Sequence, residues 1–300
     1  MSATATRGWV TDGGLETDLI FNHGIDLPEF ASFPLVEDAD GAKLLAAYYR
    51  EYATIAGQAG VGLLLETPTW RSNPDWGAKL GYDAKALDRV NRASVALMRQ
   101  FAAESGLPTV HISGMVGPRG DGYVAVARDP DEAADYHAAQ ISAFADEGVD
   151  LIHAATMTEV GEAIGVVRAA RAARAQVGIS FTVETDGRLP DGTLLKDAIA
   201  QVDAVAAPDW FGINCAHPIH IREALDGGEW QARLTTLRPN ASTLTHAELD
   251  VMEELDSGDQ DLLARTTAEL RELVPTFTTI GGCCGTDASH VARLWQVEKP

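Results

Sequence analysis

The amino-acid sequence predicts an α/β protein folded as a single (β/α)8 TIM barrel over residues 1–300. Short apolar runs alternate with longer amphipathic stretches along the chain, which is the pattern of parallel strands joined by helices. Eight apolar runs occur, and no linker rich in Pro, Gly or Ser and no repeat period divides the 300 residues. A barrel of this type needs roughly 250 residues, so one barrel accounts for the chain.

The eight predicted strands are short apolar runs spread along the whole chain. They are residues 9–11, 62–65, 110–113, 151–154, 179–183, 211–213, 234–237 and 277–280. A doubly wound open sheet is the main alternative, and it predicts a dinucleotide-binding Gly-x-Gly-x-x-Gly turn after the first strand. No such turn is present there, so the barrel is favoured.

Helical periodicity fills most of the intervals between these strands. Residues 43–58, for example, place Leu44, Tyr48, Tyr52 and Ile55 on one face. Helices are predicted over 43–58, 83–104, from Asp129 onward, over 159–175 and, as two helices broken near 256–259, over 246–273. The active site of such a barrel lies at the carboxyl ends of its strands.

Composition and charge exclude several classes of partner. The net charge is −21, from 23 basic and 44 acidic side chains, which argues against nucleic acid or an anionic membrane as a partner. The N-terminus lacks the apolar core of an export signal, and no 18-residue apolar run is present. We therefore expect a cytoplasmic protein without structural disulfides. The sequence does not specify an oligomeric state.

The three cysteines are the most specific feature of the sequence. Cys215 follows the sixth predicted strand, and Cys283 and Cys284 follow the eighth. A barrel brings both strand ends to the same rim, where three sulfur ligands suit zinc with a fourth position left open for chemistry. The flanking glycines Gly281, Gly282 and Gly285 permit the sharp turn that adjacent ligands require. The alternative is that the cysteines are buried apolar thiols.

Three short motifs at strand ends stand out in the sequence. They are Gly212-Ile213-Asn214-Cys215, Gly281-Gly282-Cys283-Cys284-Gly285-Thr286 and Asp12-Gly13-Gly14-Leu15-Glu16-Thr17. Together they resemble the homocysteine S-methyltransferase family. The resemblance runs from Asp12 to Val291. It implies a zinc-dependent barrel in which Cys215, Cys283 and Cys284 hold Zn²⁺ and the substrate thiol takes the fourth site. Zinc would deprotonate that thiol, whose free pKa is about 8.5, and leave a sulfur nucleophile for methyl transfer.

The resemblance also implies an amino-acid pocket beside the metal. Asp12 and Gly13 are expected to contact homocysteine through a carboxylate and backbone amides, and the amide of Thr67 to help hold the substrate carboxylate. Asn214 is expected to steady the loop or to hydrogen-bond beside the metal. His217 and His220 follow Cys215, but the family supplies no ligand there, so neither is expected to bind metal.

The fourth strand departs from the family pattern. Where the family has a glutamate for the substrate ammonium group, this chain has Ala155. A buried cation without a partner is costly, so two explanations stand. Either Glu184, at the end of the fifth strand, supplies the carboxylate, or the acceptor is a different thiol or a selenol.

The methyl donor is expected to be a small sulfonium or quaternary ammonium compound, such as S-methylmethionine, S-adenosylmethionine or betaine. Aromatic faces attract such cations, and Phe30 and Trp70 are the candidates. No segment resembling a folate or cobalamin module follows Cys284. The sequence therefore predicts a zinc-dependent methyltransferase acting on a small thiol and a freely diffusing donor. A zinc- or redox-responsive binding protein without turnover is the non-enzymatic alternative.

Overall fold

Eight parallel strands close into a barrel in the computed structural model, which describes residues 8–300. Each strand pairs with the next along the chain, and the first also pairs with the last. The strands are β1 (Trp9–Val10), β2 (Gly62–Glu66), β3 (Val110–Val116), β4 (Leu151–Met157), β5 (Val177–Phe181), β6 (Trp210–Asn214), β7 (Leu234–Arg238) and β8 (Thr279–Ile280). The predicted (β/α)8 barrel is confirmed. Residues 1–7, in which the sequence shows no export signal, lie outside the described residues.

Helices lie between the strands and around the barrel. They are α1 (Leu15–Thr17), α2 (Ala39–Ala59), α3 (Pro74–Lys79), α4 (Ala84–Glu104), α5 (Pro130–Asp146), α6 (Val160–Ala172), α7 (Leu195–Ala206), α8 (Pro218–Ala224), α9 (His246–Leu249), α10 (Gln260–Leu273) and α11 (Ala288–Leu294). Among residues 8–300, no helix combines the length and the apolar character needed to cross a bilayer.

Acidic and hydroxyl side chains cap many of the helices at their N-termini. Asp83 accepts from the Ala86 amide before α4, and Asp129 accepts from two amides before α5. Such caps satisfy backbone N–H groups that have no partner inside the helix. The same residues marked these helix starts in the sequence. The 246–273 segment forms two helices, α9 and α10, as expected, although α9 is only one turn long.

The barrel interior carries a polar network as well as apolar side chains. Glu66 of β2 accepts from His153 of β4 at 2.7 Å and from Arg238 of β7 at 2.6 Å. The His153 Nε2 atom lies 2.7 Å from the Ser180 hydroxyl of β5. Because these strands are not all neighbours in the sheet, the contacts must cross the interior. This network lies under the rim that carries the cysteines.

Candidate active site and metal centre

Three thiols meet at the carboxyl ends of β6 and β8. The Sγ atoms of Cys215, Cys283 and Cys284 all lie within 4.8 Å of one another, and those of Cys215 and Cys284 are 3.5 Å apart. Four ligands at a Zn–S distance of 2.3 Å in a tetrahedron place sulfur atoms roughly 3.8 Å apart. The spacing of the thiols therefore fits a single metal ion. Hydrogen bonds from Cys215 and Cys284, with the charge of Arg238 nearby, hold the pKa of the Cys283 thiol well below its usual range.

The backbone at the cysteines is held in unusual conformations. Cys215 has a φ of 56°, in the left-handed region that non-glycine residues rarely adopt. Its carbonyl accepts from His246 Nε2 at 2.8 Å and from the Thr182 hydroxyl at 3.3 Å. At the other strand end, Gly285 has a φ of 78°. These constraints turn the cysteine side chains towards one point, as a shared metal requires.

A ring stack covers the thiols on one side. The Tyr123 ring lies on His246 with centroids 4.1 Å apart, and its hydroxyl lies 3.1 Å from Cys215 Sγ and 3.7 Å from Cys284 Sγ. Burial and the neighbouring thiols raise the pKa of Tyr123 well above its usual range, so it remains a neutral hydroxyl. Tyr123 belongs to the loop after β3. It was not among the site residues expected from the sequence.

Glu184 lies behind this stack and does not line the cavity. Its carboxylate is 2.9 Å from His246 Nδ1, and that contact contributes to raising the pKa of His246 above its usual value, against burial, which lowers it. The expected role of Glu184, as the carboxylate that replaces the missing strand-four glutamate, does not fit this position. Glu184 instead orients His246, which holds the Cys215 carbonyl.

Asn214 lies next to the thiols as expected. Its Oδ1 accepts from the Thr156 amide at 2.7 Å, and its Nδ2 donates to the Thr156 hydroxyl at 2.8 Å and to Cys283 Sγ at 3.7 Å. Thr156 has a φ of 61°, so Asn214 fixes the strained end of β4 directly after Ala155. His217 caps α8 through its Nδ1, and His220 lies 6.0 Å from it, ring to ring. Neither joins the thiols.

Asp12 is buried and paired with Arg238. Arg238 Nη2 donates to Asp12 Oδ1 at 2.7 Å, and its Nη1 donates to Glu66 Oε2. One guanidinium thus faces two carboxylates. Burial raises the pKa of Asp12 to about 7, whereas His153 and Arg238 lower the pKa of Glu66 against its own burial. Asp12 and Gly13 both line the cavity above the thiols.

The Thr67 amide is not available to a substrate carboxylate, contrary to expectation. It donates to the Ser113 carbonyl at 3.0 Å, as part of the continuation of the sheet. The Thr67 hydroxyl accepts from the Met115 amide at 2.9 Å and lies 2.7 Å from the Thr69 hydroxyl. Thr67 still lines the cavity, but its amide and hydroxyl are bonded to β3 and to Thr69.

The cavity at this rim has a volume of about 380 Å³ and is open to solvent. We call the part formed by Cys215, Cys283, Cys284 and Asn214 the thiol side. Glu16 lines the same cavity and is half-buried, with its carboxylate accepting from the Ser32 hydroxyl at 2.7 Å. Burial raises the pKa of Glu16. No ion pair within residues 8–300 engages this carboxylate.

Phe30, Trp70 and Arg71 also line the cavity, and Trp76 packs against Arg71; we call these four residues the aromatic side. The expected donor aromatics Phe30 and Trp70 line the cavity, and Trp70 Nε1 donates to the Ala155 carbonyl at 3.2 Å. Arg71, which the sequence analysis overlooked, lies 5.1 Å from the Trp70 centroid and 5.9 Å from that of Phe30. These rings already face a cation of the chain itself.

Comparison with known proteins decides the family. The family model described as homocysteine S-methyltransferase matches residues 9–297. The chain belongs to the homocysteine S-methyltransferase family. It is therefore a methyltransferase, as the sequence predicted.

Individual relatives agree with this membership. The chain is 25% identical to the homocysteine S-methyltransferase of Escherichia coli (strain K12), over 94% of this chain and 93% of that protein. The metallated form of the homocysteine methyltransferase MmuM from Escherichia coli superposes with a TM-score of 0.76 at 22% identity, covering 97% and 96% of the two chains. The apo form of MmuM gives 0.65 at 21% identity, covering 97% and 95%. At this identity the structures show a shared fold.

Proposed function

We propose that this enzyme transfers a methyl group from a small sulfonium or ammonium donor to the thiol of homocysteine, giving methionine. The observation that carries the proposal is the cluster of three thiols at the floor of an open cavity. Family membership and the names of the relatives in Escherichia coli support the reaction type and the acceptor. The mutual distances of the sulfur atoms support a single metal ion, and a set of three thiolates favours zinc.

Cys215, Cys283 and Cys284 would hold the zinc ion. When bound, zinc would accept the substrate thiol as a fourth ligand and keep it deprotonated at neutral pH. The chain's own groups orient this arrangement: Asn214 donates to Cys283, and the Tyr123 hydroxyl lies against Cys215 and Cys284. Because the acceptor would release its thiol proton to solvent on binding, before the methyl group moves, no side chain needs to remove a proton during transfer. The need for reduced thiols is also the ground on which we place the enzyme in the cytoplasm.

Glu16 is the carboxylate we propose for the ammonium group of homocysteine. Asp12 and Glu66 also line the cavity, but both are already paired with Arg238. Among residues 8–300 the Glu16 carboxylate accepts from the Ser32 hydroxyl and forms no ion pair, and burial raises its pKa although the charge of Arg71 lowers it, so the carboxylate has no directly bonded counter-ion there. An incoming ammonium group would supply that counter-ion. The carboxylate missing at Ala155 is thus replaced from the loop after β1 rather than from β5.

A different thiol or selenol acceptor is the second candidate, and the position of Ala155 favours it. Ala155 presents no carboxylate to an ammonium group, and its carbonyl already accepts from Trp70 Nε1. An acceptor of this kind that lacks the amine, or places it differently, would have no need of Glu16. The two candidates therefore differ in whether Glu16 contributes to binding.

The test is methyl transfer by zinc-loaded protein in the presence of a phosphine reductant. Homocysteine is supplied with S-methylmethionine, S-adenosylmethionine or betaine in separate reactions, and methionine is quantified by mass spectrometry. We expect methionine with at least one donor and none after the metal is removed by a chelator. Methyl transfer to other thiols but not to homocysteine would favour the second candidate. No product with any acceptor and donor would contradict the proposal.

A further inference from the structure

The aromatic side of the cavity contains a cation of the chain itself. The Arg71 guanidinium lies 3.6 Å from the Trp76 ring centroid, in stacking range, with Trp70 and Phe30 somewhat further away. Cation–π attraction is strongest for a cation placed over the ring face within about 6 Å. Arg71 therefore already lies within cation–π range of Trp70 and Phe30, the two rings that an onium donor was expected to use.

This guanidinium has a buried donor that meets no acceptor among residues 8–300. Its Nε–H is buried without a partner among residues 8–300, and no ion pair among these residues includes Arg71. Burial lowers the pKa of Arg71, and the carboxylates of Asp121 and Glu16 act on it only from a distance. Buried donors in native proteins are nearly always satisfied. An arginine that is half-buried and unpaired in a substrate cavity therefore indicates an anionic group that the ligand brings.

Arg71 and the three thiols line one cavity. A ligand bound in this cavity can therefore contact both Arg71 and the thiol side. A guanidinium has a planar fork of donors that matches a carboxylate through two parallel hydrogen bonds. It also repels a simple cation. A donor that carries both an onium centre and a carboxylate can satisfy Arg71 while its methyl group faces the thiol side.

We propose that Arg71 binds the carboxylate of the methyl donor and so selects zwitterionic onium donors over onium cations that lack a carboxylate. That the ligand at Arg71 is a donor rests on the proposed function. The binding of an onium carboxylate at Arg71 does not depend on turnover. It can therefore be measured with the acceptor thiol absent.

The experiment compares two ligands that differ only in this group. Dimethylsulfonioacetate and its methyl ester carry the same sulfonium centre, but only the first has a carboxylate. Their dissociation constants for the full-length, zinc-loaded protein are measured by isothermal titration calorimetry, with a phosphine reductant so that no thiol accepts the methyl group. Because hydrogen bonds to charged groups are the strong ones, we expect the carboxylate to bind about tenfold or more tightly than the ester.

Two variants locate the preference. Arg71→Gln should reduce the ratio of the two dissociation constants to about one, and Arg71→Lys should retain part of it, because charge remains without the fork. Lys79→Gln is the matched control: Lys79 lies 3.7 Å from the same Trp76 ring but does not line the cavity, so the ratio should stay at its wild-type value. Circular dichroism and thermal melting establish that each variant is folded.

The outcomes separate this inference from the proposed function. An equal affinity for both ligands in the wild type, weak binding of both, or a preference that survives Arg71→Gln in folded protein would overturn the role of Arg71. An Arg71-dependent preference without methyl transfer to homocysteine would uphold this site and contradict the proposed function. Methyl transfer to homocysteine without any preference for the carboxylate over the ester would uphold the proposed function and contradict the role of Arg71.

Discussion

The thiol side and the aromatic side of the cavity differ in how completely their polar groups are satisfied. On the thiol side, Asn214 uses both ends of its amide, and Arg238 below it donates to Asp12, Glu66 and backbone carbonyls. On the aromatic side, the buried Nε–H of Arg71 has no acceptor in the part of the chain that the structure describes. A polar network whose donors and acceptors are all paired holds its side chains in place, whereas a buried donor without an acceptor is expected to be paired by a ligand. This difference agrees with our proposals that the thiol side holds a metal and that a ligand supplies the missing acceptor on the aromatic side.

The largest expected effect follows from removing a ligand on the thiol side. Cys215→Ala leaves two thiols, which bind zinc far more weakly than three, so zinc per chain should fall from near one to below about a tenth after gel filtration. Methyl transfer should disappear with it. Metal is measured by inductively coupled plasma mass spectrometry on protein kept reduced. Full zinc content in the variant would show that the three thiols are not the site.

A stability change should follow from removing Arg238 under the thiol side. Arg238→Met leaves Asp12 and Glu66 buried without their shared cation, which should lower the free energy of unfolding by about 3–5 kcal/mol. Urea denaturation of wild type and variant measures this. Arg89→Gln is the control, because the Arg89–Glu37 pair is exposed and should change stability by less than about 1 kcal/mol. Equal losses in both variants would contradict a buried network.

A kinetic contrast between Glu16 and Glu184 tests the ammonium site. Glu16→Gln should raise the KM for homocysteine by roughly ten- to a hundredfold, because a charge-assisted hydrogen bond is weakened. Glu184→Gln should change KM far less, since Glu184 contacts His246 and not the cavity. Zinc content should stay near one per chain in both. A larger KM increase in Glu184→Gln would restore the expectation drawn from the sequence.

The smallest expected effect is a pH dependence that originates at Asp12. The folded-state pKa of Asp12 is raised to about 7, so the folded protein binds a proton that the unfolded chain has already lost between pH 4 and 7. The stability that this proton contributes is present at low pH and is lost as pH rises through 7. Free energies of unfolding from pH 5 to 8.5 should therefore fall more steeply in the wild type than in Asp12→Asn. Parallel curves would show that Asp12 does not titrate in this range.

The two sides also differ in how far the sequence predicts them. The thiol side depends on contiguous motifs: Asn214-Cys215 ends one strand, and Gly281 to Gly285 ends another, so barrel topology alone brings them to one rim. The Arg238–Asp12 pair joins residues 226 positions apart, and no local pattern announces it. The sequence offered one signal of this pair, which is that an arginine, Arg238, ends the apolar run of β7.

The aromatic side shows why the remaining roles could not be read from the chain. Trp70 and Phe30 are where the sequence placed them, but whether their faces are free depends on the side-chain direction of Arg71. In the same way, Thr67 and Glu184 lie at strand ends as expected. The Thr67 amide, however, donates to the Ser113 carbonyl, and the Glu184 carboxylate contacts His246. The barrel topology determines where each of these residues lies, whereas side-chain packing determines whether its polar groups are free to bind a ligand.

The most direct test of the account is the ligand set of zinc with and without the acceptor. X-ray absorption at the zinc edge counts the sulfur atoms bound to the metal in the zinc-loaded protein. The account predicts three sulfur ligands and one nitrogen or oxygen ligand in the absence of thiol, and four sulfur ligands after addition of homocysteine. A count that does not change on addition of homocysteine would contradict it.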